Sequence, residues 1–286
     1  MEFKKPMPSD YKFYKKWLYT CENSCEYSYL NACMWQDVWQ YEYAIYNDAL
    51  VIRLDVDGKK IYNIPLGNIE EAVMKIEEFD GDAAFSSGEG EALAEFLSKF
   101  GEKYNLTLME ENNEYIYKRE DLANLSGKKY HQKRNHISAF TRKYNWRFEK
   151  LVENNISDAL TVASKWLLER EDEDGELLEE YNAIEYALNN LSELEILGGI
   201  LYVEDTPVAF TFGSALNEQV FDVNIEKALA DYQGAYAVIN NQFVSNCLKN
   251  FEFINREDDL GISGLRQAKL SYRPHTVLKK YVITKK

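Results

Sequence analysis

The sequence predicts an α+β protein of two tandem units, each a mixed, mostly antiparallel sheet flanked by helices. Three observations lead there. The chain has 286 residues, enough for about two domains at roughly 150 residues each. Stretches of alternating apolar and polar residues, the strand period, are interleaved with stretches of helical period. The same order of elements then occurs twice: helices, an antiparallel meander, a strand, a helix and closing strands. No sequence identity is apparent between the halves, so the repeat rests on element order. The expected division is 1–125 and 126–286.

Residues 9–40 read as helical, with Ser9 as N-cap and Phe13, Trp17 and Leu18 at helical spacing. Residues 41–64 read as strands around an Asp57-Gly58 hairpin turn. Asn68 caps a helix carrying Ile69, Val73 and Ile76, and a second helix starts near Glu91 with Leu93, Phe96, Leu97 and Phe100 on one face. Short strands follow at 106–109 and 114–117. Residues 119–144 read as a loop and then a basic helix, 146–151 as a strand, and 156–170 and 181–191 as helices around an acidic turn, 171–180. A meander is expected over 194–225, with Gly198-Gly199 as a bend. A helix opened by Gly234 and strands at 251–255 and 281–284 close the second unit.

Hydrophobic residues make up 45% of the chain, which has 21 Tyr and 14 Phe. Tyr at this frequency suits half-buried faces where the ring packs and the hydroxyl stays wet. No apolar run approaches the ~20 residues of a spanning helix. The start, MEFKKPMPSDYK, lacks the apolar stretch of a signal peptide. The expected location is therefore cytoplasmic, without stable membrane insertion. Cys21, Cys25, Cys33 and Cys247 show no CxxC spacing, so reduced thiols and no metal site are expected.

The net charge of −15 argues against nucleic acid and anionic membranes. Its distribution is uneven. Residues 127–150 hold eight basic residues against Glu149 alone, and 264–286 hold seven with no acid. Two such segments in an acidic chain suggest one local anion site; solvated faces are the plainer alternative.

Three segments carry a resemblance: GKKYHQKRNHI at 127–137, FDVNIEKALADYQGAYAVINNQF at 221–243 and NREDDLGISGLRQAKLSYRP at 255–274. They resemble the soluble C-terminal domain family of phosphatidylglycerol lysyltransferases, and the element order over 194–284 resembles the core of GNAT acyltransferases. The resemblance implies two tandem GNAT-like domains facing each other, as in aminoacyl-tRNA-dependent transferases. The lysyltransferases carry a long membrane region before this domain, and this sequence has none. Where acetyl-CoA-dependent members place a basic or amide residue and a small one around the glycine turn, this sequence has Asp231 and Tyr236. An acid repels phosphate and an aromatic crowds it, so no CoA cofactor is expected.

The candidate catalytic residues are Glu226, Lys227 and Tyr272. Glu226-Lys227 follows the central strand of the GNAT-like sheet, where the resemblance puts donor and acceptor; a turn salt bridge is the bland alternative. Arg266, Lys269 and Tyr272 are three apart, which puts guanidinium, ammonium and phenol on one helical face suited to phosphate or carboxylate. An internal salt-bridge network with Glu257, Asp258 and Asp259 is the alternative. Lys129, Lys133, Arg134 and Asn240 complete the candidate substrate-binding set with Arg266 and Lys269. The expected function is acyl or aminoacyl transfer to an amine or hydroxyl, from a donor such as aminoacyl-tRNA. The alternative is a non-catalytic module binding an anionic small molecule.

Overall fold

The computed structural model describes residues 1–18, 23–170 and 175–286. Two seven-stranded mixed sheets form its frame. The chain begins with three short helices, α1 (Tyr11–Leu18), α2 (Tyr29–Met34) and α3 (Gln36–Trp39). Ser9 lies inside a single 3-10 turn, Pro8–Asp10, rather than at a cap. Helix α1 buries Tyr11, Tyr14 and Trp17 and leaves Phe13 exposed, because aromatic positions three apart share a face and Phe13 falls off it.

Next come β1 (Glu42–Tyr46), β2 (Ala49–Val56), β3 (Lys59–Asn63) and β4 (Leu66–Gly67). Asp57 and Gly58 both take positive φ between β2 and β3, the conformation a tight hairpin requires. Asn68 accepts a hydrogen bond from Glu71 N and caps α4 (Ile69–Phe79), which buries Ile69, Ala72, Val73 and Ile76. Each larger apolar side chain so covered contributes about 1.5–3 kcal/mol. The first half continues through β5 (Ala84–Gly88), α5 (Glu91–Phe100), β6 (Tyr104–Leu108) and β7 (Glu114–Lys118). Residues 119–124, expected as loop, form α6 (Arg119–Asn124).

The basic helix is α7 (His131–Lys143), followed by β8 (Trp146–Lys150), α8 (Ile156–Leu168) and α9 (Glu176–Asn189). Glu176 to Glu180 are therefore the first turns of α9 rather than an acidic turn. The remainder of that run, 171–174, lies outside the described residues, as does Cys21. Then come β9 (Leu197–Val203), β10 (Thr206–Ala215), β11 (Val220–Ala228), α10 (Ala235–Cys247), β12 (Phe253–Asn255), α11 (Ser263–Leu270), β13 (Thr276–Leu278) and β14 (Lys280–Lys285). Gly198 and Gly199 lie inside β9 instead of at a bend. A Cβ on either would strike Leu151 or Phe148, so these glycines admit side chains beside the paired strand β8.

Sheet A runs β1-β2-β3-β5-β14-β6, with β4 paired to β2 off this path, and sheet B runs β13-β7-β12-β11-β10-β9-β8. Each contains one parallel pair joined through a helix: β3 with β5 through α4, and β11 with β12 through α10. In each, the strand beside that pair comes from the other half of the chain. The C-terminal β14 lies between β5 and β6, and β7 lies between β12 and β13. The closing strand expected to finish the second unit thus completes the first sheet.

The exchange is pinned by a buried ion pair. Lys280 of β14 donates to Glu114 of β7 at 2.7 Å and pairs with Glu26 at 2.9 Å. Glu114 is 0% exposed and also accepts from Ser24 Oγ, Cys25 N and Asn255 Nδ2. Burial alone would raise its pKa, but Lys280 and these donors hold it below the ordinary value.

Candidate active site

Strands β11 and β12 pair for only three rungs, the last being Asp222↔Asn255. β11 then runs on to Ala228 while β12 ends, leaving a gap at the carboxyl ends of two parallel strands. β11 is also irregular: Phe212 and Ser214 of β10 face Ile225 and Asp222, which are three residues apart. The extra residue reverses the side-chain alternation. Asn224 reaches Ser28 and Asn31 beside α2, whereas Glu226 reaches Asn240 on α10.

On the α10 side, Glu226 Oε1 accepts from Arg256 at 2.8 Å and Oε2 from Asn240 at 3.0 Å. Only 9% of the Glu226 side chain and 12% of Arg256 is exposed. Lys133 of α7 holds its ammonium 3.7 Å from the Tyr272 ring centroid, with Arg256 at 4.9 Å from the same ring. Lys133 forms no ion pair among the described residues. Burial, aided by the Arg256 charge and opposed by Glu226, pushes its pKa down to about 8. The group therefore combines an ion pair with one further cation in a poorly hydrated setting, where charge acts strongly.

Four of the nine residues singled out from sequence meet here: Glu226, Lys133, Asn240 and Tyr272. Five do not. Lys227 points to the opposite face of β11, pairs with Glu180 at 2.6 Å and lies over Trp166, as adjacent residues of a strand must face apart. Lys129 is exposed and pairs with Asp121 at 3.2 Å. Arg134 donates to the carbonyls of Leu125 and Gly127 and closes the turn after α6. Arg266 forms a bidentate pair with Asp259, whose carboxylate also accepts from Tyr115. Lys269 donates to the carbonyls of Arg256 and Asp258. Of the salt-bridge network weighed for Arg266 and Lys269, the Arg266–Asp259 pair is present, while Lys269 bonds backbone carbonyls; together these contacts fix the loop that presents Arg256.

Arg256 was not singled out from sequence, although it stands in the NREDDLG segment directly after β12, across the gap from the end of β11. The glycine turn also has a local reason. Gly234 has φ +95°, and a Cβ there would come within 2.9 Å of the His136 carbonyl. Its small size lets α7 pack against the start of α10, and Tyr236 accepts from Trp166 Nε1 at 3.1 Å.

Two mixed sheets, each with a parallel pair behind a meander and a crossing helix, define a tandem GNAT-like fold. The chain belongs to the phosphatidylglycerol lysyltransferase C-terminal family, matching it over residues 20–284. A conserved protein of unknown function from Bacteroides thetaiotaomicron VPI-5482 is 32% identical, with a TM-score of 0.95 over 100% of both chains. L-PGS from Bacillus licheniformis shares the fold at 14% identity, with a TM-score of 0.68 over 99% of this chain and 93% of that one. An uncharacterized protein of Mycoplasmoides gallisepticum is 26% identical over 186 residues; the match takes in 63% of this chain and 59% of that relative's length. Among the described residues, no helix is long and apolar enough to cross a membrane.

Proposed function

We propose that this chain is a GNAT-type acyltransferase that uses an aminoacyl-tRNA as donor and works in the gap between β11 and β12. The observation that carries the reading is the group of Lys133, Arg256, Glu226, Asn240 and Tyr272 where the parallel strands part. Direct transfer needs a donor carbonyl whose oxygen meets positive charge as the tetrahedral intermediate forms. Lys133 and Arg256 are suited to that oxygen. Tyr272 keeps its phenolic proton, since burial raises its pKa, Arg256 opposes and Glu226 adds to the rise; it is suited to protonating the leaving oxygen. Glu226 positions Arg256. For Glu226 to accept a proton itself, one of its oxygens must leave its present partner.

Family membership supports an aminoacyl donor, since the matched family is that of a phosphatidylglycerol lysyltransferase. The exposed Lys128, Lys129, Arg142 and Lys143 around α7 offer phosphate contacts on an otherwise acidic chain. One observation favours a second reading, a non-catalytic module binding an anionic small molecule: both oxygens of Glu226 are engaged while Lys133 is unpaired. The discriminating experiment incubates the protein with each labelled aminoacyl-tRNA, and separately with CoA thioesters, and follows loss of the acyl bond. Faster loss from an aminoacyl-tRNA than the spontaneous rate supports transfer. No acceleration with any donor, in the presence of amines and alcohols, refutes it.

A further inference from the structure

Sheets A and B end in four edge strands, and three of them are guarded. β1 is bridged by Lys4, which exchanges both backbone bonds with Tyr43. β8 carries Arg147, Glu149 and Lys150, and β13 is only three residues long. β6 has none of these devices against edge pairing. Its five residues, YNLTL, hold no charge and no proline, in a chain of net charge −15.

The ladder with β14 fixes which groups of β6 are free. Met109 N donates to Lys280 O, and Lys286 N donates to Lys103 O. Odd-numbered residues of β6 therefore bond inward, and in an antiparallel pair the alternate residues point their N–H and C=O the other way. Tyr104, Leu106 and Leu108 each present an N–H and a C=O outward, and no strand among the described residues takes them up. The side chains of these three share one face. Tyr104 is buried against Phe96 of α5, while Leu106 is 41% and Leu108 39% exposed. Asn105 and Thr107 are exposed on the other face.

We propose that this edge docks a second copy of the chain: two β6 strands pair antiparallel about a two-fold axis at Leu106, joining two A sheets into one. The strand's alternation reads the same in both directions. Leu106 meets the partner's Leu106, and Tyr104 meets the partner's Leu108, in backbone-bonded pairs. On the polar face Asn105 meets the partner's Thr107. Like therefore meets like at every rung, as self-pairing about a two-fold demands. Charge at the two ends of the strand favours the same arrangement. At the Tyr104 end the ammonium groups of Lys285 and Lys286 hold only backbone carbonyls, beside one exposed acid, Glu102. At the Leu108 end Glu110 and Glu111 are exposed, with no ion pair among the described residues. Antiparallel pairing brings the lysines of each copy toward these acids of the other.

The test is sedimentation equilibrium of the purified chain at concentrations up to about 0.2 mM, a range that populates weak dimers. Wild type is compared with Leu106→Lys, Leu106→Pro and Val277→Lys, each checked for folding by circular dichroism. Leu106→Lys sets like charges against each other on the axis. Leu106→Pro deletes an N–H that points outward and so spares the bonds to β14. Val277→Lys alters the other exposed edge, β13. The expected result is a monomer–dimer equilibrium in wild type and Val277→Lys, weakened about tenfold or more in each folded Leu106 variant. Amide hydrogen exchange of wild type should also slow at Leu106 and Leu108 as concentration rises, a readout that needs no variant. A monomer throughout the range overturns the proposal. So does a dimer unweakened in a folded Leu106 variant, one lost in Val277→Lys, or one that forms without slowing exchange at those two amides.

Discussion

In sheet A, β3 and β5 run parallel over Ile61↔Ala84, Tyr62↔Phe85 and Asn63↔Ser86; in sheet B, β11 and β12 do so over Val220↔Phe253, Phe221↔Ile254 and Asp222↔Asn255. Beyond the last rung the two differ. In sheet A the backbone bonding continues, Ile64 N donating to Ser86 O at 3.1 Å, and Ile64 is 0% exposed with its carbonyl capped by the Tyr27 hydroxyl. In sheet B the strands separate around Glu226, Arg256 and Lys133. The crossing helices differ in the same sense. α4 starts with a side-chain cap and Glu70 and Glu71 in its first turn, while α10 starts at Gly234 with no acid. One topology has thus been finished once as scaffold and once as a charged gap, so function must be argued from the site and not the fold.

The largest effect expected from breaking this contrast is at the ion pair. Glu226→Ala strands the Arg256 charge and should cost about 3–5 kcal/mol in denaturant melts. Glu226→Met/Arg256→Met should recover most of that stability, because removing both charges leaves none uncompensated. A small loss in the single variant would mean that the gap is wetter than described.

A smaller effect lies at Glu257, on the side of the gap that faces α2. Glu257 is protonated up to about pH 7 in the fold but only to about pH 4 when unfolded. Its contribution is therefore complete below the unfolded value and lost as pH rises through 7. Melts of wild type should lose about 1–2 kcal/mol between pH 5.5 and 8 relative to Glu257→Gln, which lacks that titration. Parallel pH profiles for the two proteins would contradict the assignment. The smallest effect is at the closed gap. Ser86→Ala, which removes the bond from Ser86 Oγ to Asn63, should cost about 0.5–1.5 kcal/mol and leave turnover unchanged. A turnover loss there would mean that both gaps serve the reaction.

Local signals made much of this legible in sequence. The Asp57-Gly58 hairpin, the Asn68 cap and the faces of α4 and α5 follow from turn chemistry and periodicity. The family resemblance supplied the fold and pointed to the Glu226-Lys227 pair, whereas Tyr272 was reached from its helical spacing with Arg266 and Lys269. The strand exchange was not legible, because the partners of β7 and β14 are set by pairing across more than a hundred residues. Lys227 could not be separated from Glu226 without the strand face, and the β11 irregularity that turns Asp222 and Glu226 to opposite sides leaves no mark in composition. Arg266 and Lys269 share helical spacing with Tyr272, but Asp259 on the preceding loop holds Arg266 and that loop's carbonyls hold Lys269.

The most direct test of the charged gap as the working site is the single-turnover transfer rate of Lys133→Met with whichever aminoacyl-tRNA wild type accepts. Removing one cation from a developing oxyanion should lower that rate about 10²–10³-fold while the melting midpoint stays near wild type. The wild-type rate itself should fall as pH rises through about 8, where the Lys133 ammonium is lost. A Lys133→Met rate equal to wild type, or an unchanged pH profile, would contradict the account.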